Sequence, residues 1–173
     1  MRGVRYRMAT GEDAAGLAAL FDKSFTETFG HLYRPEDLAA FLSQLDETGW
    51  REELADPRLA IRLAEAEGEL VGFAKLGMIT LPVAPTAPAT ELRQLYILKP
   101  WQGRGIAATL MDWALGQARV GGARLLYLSV YVDNHRARRL YERYGFAFVG
   151  TYAFQVGDHF DEDHIMCLAL EGE

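Results

Sequence analysis

Gly103 and Gly105 stand one residue apart, between a strand-like segment and a long amphipathic helical segment. The strand is predicted over "ELRQLYIL", and the helix over "GRGIAATLMDWALGQARV", which stops at Gly121-Gly122. The first amides of such a helix lack partners and carry partial positive charge, and glycines leave them open to a phosphate. The stretch therefore predicts a strand that is followed, after a short glycine-containing turn, by a helix. It also predicts either a phosphate site or a connection without a ligand.

The remaining segments predict one mixed α/β domain over residues 1–173. Further strands are predicted over 4–8, 58–66, 69–80, 124–132, 146–154 and 164–170, with a tight turn at Glu67-Gly68. Further helices are predicted over 12–25, 34–45, 50–56 and 135–145, the last one capped by Asp133-Asn134. Three prolines predict a loop over 80–90, and the acidic stretch 157–164 is predicted as a hairpin loop.

Charge and cysteine content exclude several classes of protein. The chain has 18 Lys and Arg against 24 Asp and Glu, and this net charge of −6 disfavours a nucleic-acid partner and favours cationic ligands. No stretch approaches the roughly 20 apolar residues that span a membrane. The single cysteine, Cys167, cannot form a disulfide within the chain, so we expect a cytoplasmic protein.

Two common phosphate motifs compete for the glycine turn. A P-loop is excluded because no Gly-Lys-Ser/Thr follows. The spacing Gly103-x-Gly105-x-x-Ala108 satisfies a loose dinucleotide fingerprint, and Asp133 ends the next strand. However, the preceding strand is amphipathic, residues 100–102 separate it from the first glycine, and 40 residues after Asp133 are too few for a second half of a doubly wound sheet.

Two stretches together carry a family resemblance. "QGRGIA", which begins at Gln102, resembles the Gln/Arg-x-x-Gly-x-Gly/Ala signature of the GNAT N-acetyltransferase superfamily, with Ala107 replacing the commoner glycine. "NHRARRLYERYGFAFVG" resembles the family's second motif, in which a short helix ends in Tyr-x-x-x-Gly-Phe, here Tyr141, Gly145 and Phe146. The resemblance implies a mixed, mostly antiparallel sheet of about seven strands that is flanked by helices and splayed in the middle.

The resemblance also implies acetyl-coenzyme A as co-substrate. Its pyrophosphate would lie on the amides that open the helix, and the main chains of Tyr96 and Ile97 would bond the pantetheine arm and the acetyl carbonyl. The residues predicted to bind it are Tyr96, Ile97, Gln102, Gly103, Arg104, Gly105, Ile106, Ala107, Ala108 and Asn134. The second-motif helix is basic through Arg136, Arg138, Arg139 and Arg143, for which a ribose-phosphate contact and a solvated face are the alternatives.

Two residues are candidates for proton transfer. The resemblance places Tyr141 at the family's acid position, and a phenol of pKa near 10 can protonate a thiolate leaving group. Glu91 stands eleven positions before Gln102, as does the catalytic glutamate of some protein-acetylating members. On an alternating strand Glu91 would share a face with Arg93, Leu95 and Ile97. The alternatives are a packing tyrosine and a strand-end carboxylate paired with Arg93 or water.

The acceptor is predicted from less specific features. "SFTETFGHLYRPEDLAAFL" is similar to the N-terminal helix region of bacterial spermidine/spermine-type acetyltransferases, which makes Glu27, Phe29, His31 and Tyr33 candidate acceptor contacts. Their alternative role is to cover the core. The acidic stretch 157–164 either attracts a polycation or is merely solvated. No metal site is predicted there, because the spacing is not typical of metal ligands.

These features favour an acetyl-CoA-dependent N-acetyltransferase that acts on a small cationic primary amine or polyamine by direct attack in a ternary complex. We expect a monomer or homodimer with no nucleic-acid or membrane partner. One alternative acceptor is a protein N-terminus or lysine. Another class of protein, a non-catalytic acyl-CoA-binding module, also fits the co-substrate motif.

Overall fold

The computed structural model describes residues 3–171. Within this range the strands are β1 (Arg5–Met8), β2 (Ala60–Ala66), β3 (Glu69–Gly77), β4 (Ala89–Ile97), β5 (Leu125–Tyr131), β6 (Ala147–Val156) and β7 (His159–Ala169). The α-helices are α1 (Ala14–Phe29), α2 (Pro35–Ser43), α3 (Glu47–Ala55), α4 (Ile106–Val120) and α5 (His135–Arg143). None of the described helices is both long and apolar enough to cross a membrane.

A single sheet contains these strands in the order β1-β2-β3-β4-β5-β7-β6. Strands β4 and β5 are parallel, and the other neighbours are antiparallel. The predicted turn between β2 and β3 is confirmed, since Glu67 and Gly68 both have positive φ angles, 56° and 83°, as a tight hairpin turn requires. The predicted mixed, mostly antiparallel sheet of seven strands is therefore confirmed.

The sheet opens between its two parallel strands. β4 and β5 pair at Ala89–Glu91 and Leu125–Tyr127, and no further pair between them is found in the described chain. Beyond this point β4 pairs with β3 alone and β5 pairs with β7 alone. We call the resulting opening the gap. It exposes one edge of each strand within the sheet, where main-chain groups can bind a ligand as they would bind a neighbouring strand.

Two hydrophobic cores lie on opposite faces of the sheet. The α4 core packs α4 and α5 against the sheet and buries side chains such as Leu110, Met111 and Leu126. The α1 core packs α1 and α3 against the other face around Phe25 and Trp50. Burial of apolar area on both faces is the main favourable term that holds this layered arrangement together.

A bulge in β4 changes which of its side chains share a face. Its pairing with β3 shifts register at Arg93, which is the extra residue. Leu92, Leu95 and Ile97 all pack in the α4 core, so Glu91 faces the opposite side of the sheet. The prediction that Glu91 shares a face with Leu95 and Ile97 is wrong, because it assumed unbroken alternation along the strand.

The prediction of an acidic hairpin loop is also wrong. The turn is confined to residues 157–158, and β7 begins at His159. Asp161 and Asp163 are strand residues that are each 7% exposed, whereas Glu162 between them is exposed. The stretch continues the alternation of β7, so every second acidic side chain turns inward. Its polar composition had suggested a solvated loop.

Candidate active site

The glycine turn leaves the first amides of α4 uncovered. Gly103 and Gly105 have φ angles of +76° and +82°, in the left-handed region that glycine tolerates, and α4 begins at Ile106. A Cβ at Gly103 would lie 3.3 Å from Nη2 of Arg136, and a Cβ at Gly105 would meet nothing within 4 Å. Open helix amides beside a guanidinium group form a site for an anion.

The cation beside the turn comes from α5. Arg104, within the turn, is exposed, and its guanidinium lies 4.7 Å from the centre of the Trp101 ring. Arg136 and Arg143 instead line the cavity in front of the turn. Of the four arginines that make α5 basic, these two are therefore placed to meet a phosphate, while Arg138 donates to the carbonyl of Val132 at 2.8 Å.

A cavity of about 460 Å³ extends from the turn into the gap. We call it the loop cavity. Most residues predicted to bind the co-substrate line it, namely Tyr96, Ile97, Gln102, Gly103, Gly105, Ile106, Ala107, Ala108 and Asn134. Arg104 is the predicted residue that lies outside its lining. The structure thus brings together residues from β4, the turn and the cap of α5, of which Tyr96 and Asn134 are 38 positions apart in the sequence.

Gln102 fixes the end of β4 at the mouth of the gap. Its side-chain Nε2 donates to the carbonyl of Ile97 at 3.1 Å. The amide of Leu98 donates to Val71 on β3 at 2.9 Å. Main-chain groups of successive strand residues point to opposite sides, so the amide of Ile97 points away from β3 and toward the gap. That amide can donate to a carbonyl in the loop cavity.

A second cavity, of about 180 Å³, occupies the deeper part of the gap. We call it the gap cavity. Its aromatic lining comprises Phe21, Phe25, Phe29, Tyr33, Phe41, Tyr96, Tyr131, Tyr141 and Phe154. It shares Phe29, Leu95, Tyr96, Asn134, Ala137 and Tyr141 with the loop cavity. The two cavities therefore meet at a junction bounded by these shared residues.

Tyr141 on α5 lies at this junction. It is 7% exposed, and its ring packs against Phe146 with the ring centroids 5.9 Å apart. Burial raises the pKa of its hydroxyl to about 12, so the group keeps its proton at neutral pH. A protonated phenol at the junction can donate to a group in either cavity.

Two buried carboxylates line the gap cavity. The hydroxyl of Tyr33 donates to Oδ2 of Asp161, and Nε2 of His159 lies 2.8 Å from its Oδ1. Asp163 lies on the same face of β7, two residues on. Burial raises the pKa of Asp163 to about 7, and the charge of Asp161 contributes in the same direction. The cavity therefore holds a tethered carboxylate beside one that titrates near neutral pH.

Gln94 adds a third acceptor to the gap cavity. Its Oε1 is buried and has no hydrogen-bond partner among residues 3–171. A buried acceptor without a partner is costly, so a ligand that donates a hydrogen bond would be stabilised there. Arg93 is the one cation among the described lining residues. Acceptor groups thus outnumber cations in the gap cavity.

The structure divides the four candidate acceptor contacts between the cavities. Tyr33 lines the gap cavity, and Phe29 lines both. Glu27 and His31 line the loop cavity, where the Glu27 carboxylate lies 3.3 Å from the amide of Lys99 and accepts from it. The structure therefore places all four residues around the two joined cavities.

Glu91 lies outside the lining of both cavities. It is 4% exposed at the point where β4 and β5 part. Its carboxylate accepts from the amide of Thr80 at 2.6 Å and from the Thr80 hydroxyl at 3.1 Å. These contacts anchor the loop that precedes β4.

Sequence reasoning named Asp161 and Asp163 only as part of an acidic loop that either attracts a polycation or is solvated, and it missed Gln94. The alternation of "FDEDHI" with the final apolar run is a signal that would have placed both aspartates on one strand face. No comparable signal marks Gln94, because the bulge next to it decides which way it points.

A splayed sheet, a glycine turn opening a helix, and a tyrosine where two cavities meet define an acetyltransferase fold. The chain belongs to the acetyltransferase (GNAT) family, whose model matches residues 16–146. It is therefore an N-acetyltransferase that uses acetyl-CoA as co-substrate, and the uncovered turn with Arg136 fits the phosphates of that molecule.

Similar proteins agree on the family and differ in the acceptor they name. An uncharacterised N-acetyltransferase of Mycobacterium bovis is 36% identical over 91% of this chain and 98% of its own. An aminoalkylphosphonate N-acetyltransferase of Salmonella typhimurium is 35% identical over 57% of this chain and 63% of its own. A probable spermine N(1)-acetyltransferase of Bacillus subtilis is 32% identical over 51% of this chain and 59% of its own.

The fold is also shared with a solved structure. The PaiA N-acetyltransferase of Thermoplasma acidophilum, in complex with coenzyme A, aligns over 97% of this chain and 99% of its own, with a TM-score of 0.80 and 21% identity. This likeness shows that the fold is shared, including the terminal strands that lie outside residues 16–146.

Proposed function

We propose that the enzyme transfers the acetyl group of acetyl-CoA to a small cationic primary amine, with a polyamine or diamine as the preferred acceptor. The observation that supports this most is the acidic, aromatic-walled gap cavity, which meets the loop cavity at Tyr141. An ammonium group is attracted both to carboxylates and to the faces of aromatic rings.

The loop cavity is the proposed donor site. The amides from Gly103 to Ala108 would hold the pyrophosphate, and Arg136 would supply a cation beside it. Asn134 Oδ1 accepts from the amide of Ala137 at 3.3 Å, which leaves its NH2 group to donate to the pantetheine arm. The amide of Ile97 would donate to the acetyl carbonyl and stabilise the negative charge that develops there.

The size of the gap cavity supports a small acceptor. About 180 Å³ accommodates an aliphatic amine chain better than a folded peptide segment, which disfavours a protein N-terminus or lysine. An aminoalkylphosphonate would bring its anion toward Asp161 and Asp163, with Arg93 as the one opposing charge among the described lining residues. Electrostatics therefore favours an amine without an anionic group.

Tyr141 is the proposed acid. It would donate its proton to the sulfur as the thioester bond breaks and regain a proton from the newly bonded nitrogen. Its pKa of about 12 returns it to the protonated state after each turnover.

An acceptor panel tests the proposal. Purified enzyme with acetyl-CoA is offered spermidine, spermine, putrescine, an aminoalkylphosphonate, a peptide with a free N-terminus and a lysine peptide, and thiol release is measured. We expect kcat/KM at least about 100-fold higher for a polyamine or diamine than for the peptides, because the buried acids discriminate charge. Turnover of the peptides alone, or of the phosphonate alone, would refute the cationic-amine assignment.

A further inference from the structure

We propose that Asp163 is the base that takes the proton from the acceptor's ammonium group, and that Asp161 is a positioning residue for the same acceptor. This inference rests on the proposed function. Glu91, the other candidate base, has its carboxylate held by Thr80 outside both cavities, whereas the carboxylate of Asp163 lines the gap cavity.

The geometry distinguishes the two aspartates. Both oxygens of Asp161 already have partners, the hydroxyl of Tyr33 and the ring of His159. The Asp163 carboxylate has Ser129 as its side-chain neighbour, whose hydrogen bond favours the charged form. Asp163 is therefore the carboxylate with capacity left for an incoming donor, and Asp161 keeps a fixed position beside it.

Asp163 also lines the same cavity as Tyr141. Burial raises the pKa of Tyr96, and the Asp163 carboxylate acts in the same direction, as Tyr141 would in its ionised form. Asp163 and Tyr141 therefore both lie within electrostatic range of Tyr96. The titratable and charged groups that line the gap cavity with Asp163 are Asp161 on β7, Arg93 and Tyr96 on β4, Tyr131 on β5, Tyr141 on α5 and Tyr33 before α2. None of the tyrosines is charged at neutral pH.

The environment of Asp163 suits a base. Its pKa of about 7 means that it is ionised just above neutral pH, yet it is basic enough to accept a proton. Gln94 Oε1, which lines the same cavity and is buried without a partner among the described residues, would accept a second N–H of the ammonium group. The acceptor nitrogen would then be held by two acceptors while it loses one proton.

The proton balance of the transfer follows from these roles. The ammonium group gives one proton to Asp163, and the neutral nitrogen then forms a bond to the acetyl carbon as the carbon–sulfur bond breaks. The sulfur leaves with the proton of Tyr141, and Tyr141 regains a proton from the acetylated nitrogen. Asp163 releases its proton to water, so each turnover yields an amide, a thiol and one free proton.

The test compares Asp163→Asn with Glu162→Gln, which removes a charge from the adjacent, exposed position of the same strand. The kcat/KM for the best amine of the panel is measured from pH 6 to 10. We expect Asp163→Asn to lower kcat/KM by about 100-fold or more and to abolish the acidic limb near pH 7, because the base is lost. Glu162→Gln should keep the wild-type profile.

A second variant separates positioning from proton transfer. Asp161→Asn should raise the KM for the amine by about tenfold, since one charge of the pair is lost, and it should keep the acidic limb. Binding of coenzyme A, measured by calorimetry, should be within threefold of wild type in all three variants, which shows that they are folded. An acidic limb that persists in Asp163→Asn, with kcat/KM within threefold of wild type, would overturn the inference.

The controls also separate this inference from the proposed function. If the wild-type enzyme acetylates no cationic amine, the proposed function fails and the inference fails with it. If the wild-type enzyme acetylates a polyamine and Asp163→Asn does so equally well, the assignment of Asp163 alone is refuted.

Discussion

Glu91 and Thr80 are hydrogen-bonded to each other at the closed end of the gap, which we call the root of the gap; we call this pair the clamp. The carboxylate accepts from the Thr80 amide at 2.6 Å and from its hydroxyl at 3.1 Å, and Glu91 is the last residue of β4 that pairs with β5 in the described chain. The clamp joins the loop before β4 to the place where the sheet opens.

Replacing Glu91 with Gln should therefore affect stability more than proton transfer. Charge-assisted hydrogen bonds to the Thr80 amide and hydroxyl are weakened, and we expect the free energy of unfolding to fall by about 1–2 kcal/mol. Urea unfolding measures this loss, with Glu69→Gln at an exposed position as the matched control. A fall in kcat beyond tenfold with unchanged stability would instead make Glu91 a base.

Replacing Tyr141 with Phe should reduce turnover far more than co-substrate binding. The variant keeps the ring packing against Phe146 and removes the proton donor, so kcat should fall by about 100-fold while the Kd for coenzyme A changes less than threefold. Tyr144→Phe is the control, because its hydroxyl contacts Asp112 at 2.7 Å and lies outside both cavities. Equal activity of the two variants would remove Tyr141 from its proposed role.

Two alanine substitutions, one in the glycine turn and one within α4, should have opposite effects. Gly105→Ala places a side chain at a φ of +82°, which costs about 1 kcal/mol, and crowds the amides that open α4. We expect at least tenfold weaker binding of coenzyme A by calorimetry. Gly116→Ala, in the exposed middle of α4 with nothing within 4 Å of the new Cβ, should raise stability by about 0.5–1 kcal/mol. Unchanged affinity in Gly105→Ala would exclude the turn as the phosphate site.

The burial of Asp163 predicts how stability varies with pH. Its pKa is raised from 3.8 to about 7 in the folded protein, so between these values the folded state binds more protons than the unfolded state, and this carboxyl makes stability fall as pH rises. Asp163→Asn removes the cost of burying an ionised carboxylate. The variant should therefore be more stable than wild type at pH 8, by of order 1–3 kcal/mol in the free energy of unfolding. The difference should shrink toward zero near pH 4. Thermal unfolding of wild type and variant at pH 4 and pH 8 measures this effect. Equal stability of the two proteins at pH 8 would contradict a buried, ionised Asp163.

Local rules predicted the elements on which the donor site is built. The glycines at 103 and 105 and the cap at Asn134 were identified because each serves a backbone requirement of the residues next to it, which sequence displays directly. The strand and helix around the turn follow from apolar periodicity. Both cavities, in contrast, depend on pairing between strands that are distant in the sequence.

Two features of the gap cavity could not be predicted from short-range sequence patterns. The bulge at Arg93 is set by the register between β3 and β4, and it reverses the facing of every residue before it relative to those after it. Asp161 and Asp163 were expected in an acidic loop, because composition does not show that β6 and β7 pair as far as Val156 and His159 and leave only residues 157–158 for the turn. Tertiary pairing overrode the local preference of acidic residues for exposed loops.

The opening between β4 and β5 has a mechanical consequence. Strand pairing links β1–β4 to the β5-β7-β6 half through the three residue pairs at the root of the gap, as far as the described chain shows. A ligand that hydrogen-bonds to the β4 edge and contacts α5 at the same time links the two halves of the sheet. Amide hydrogens along the β4 and β5 edges should then exchange with solvent more slowly when coenzyme A is bound, and the molecule should stiffen as it loads its acyl donor.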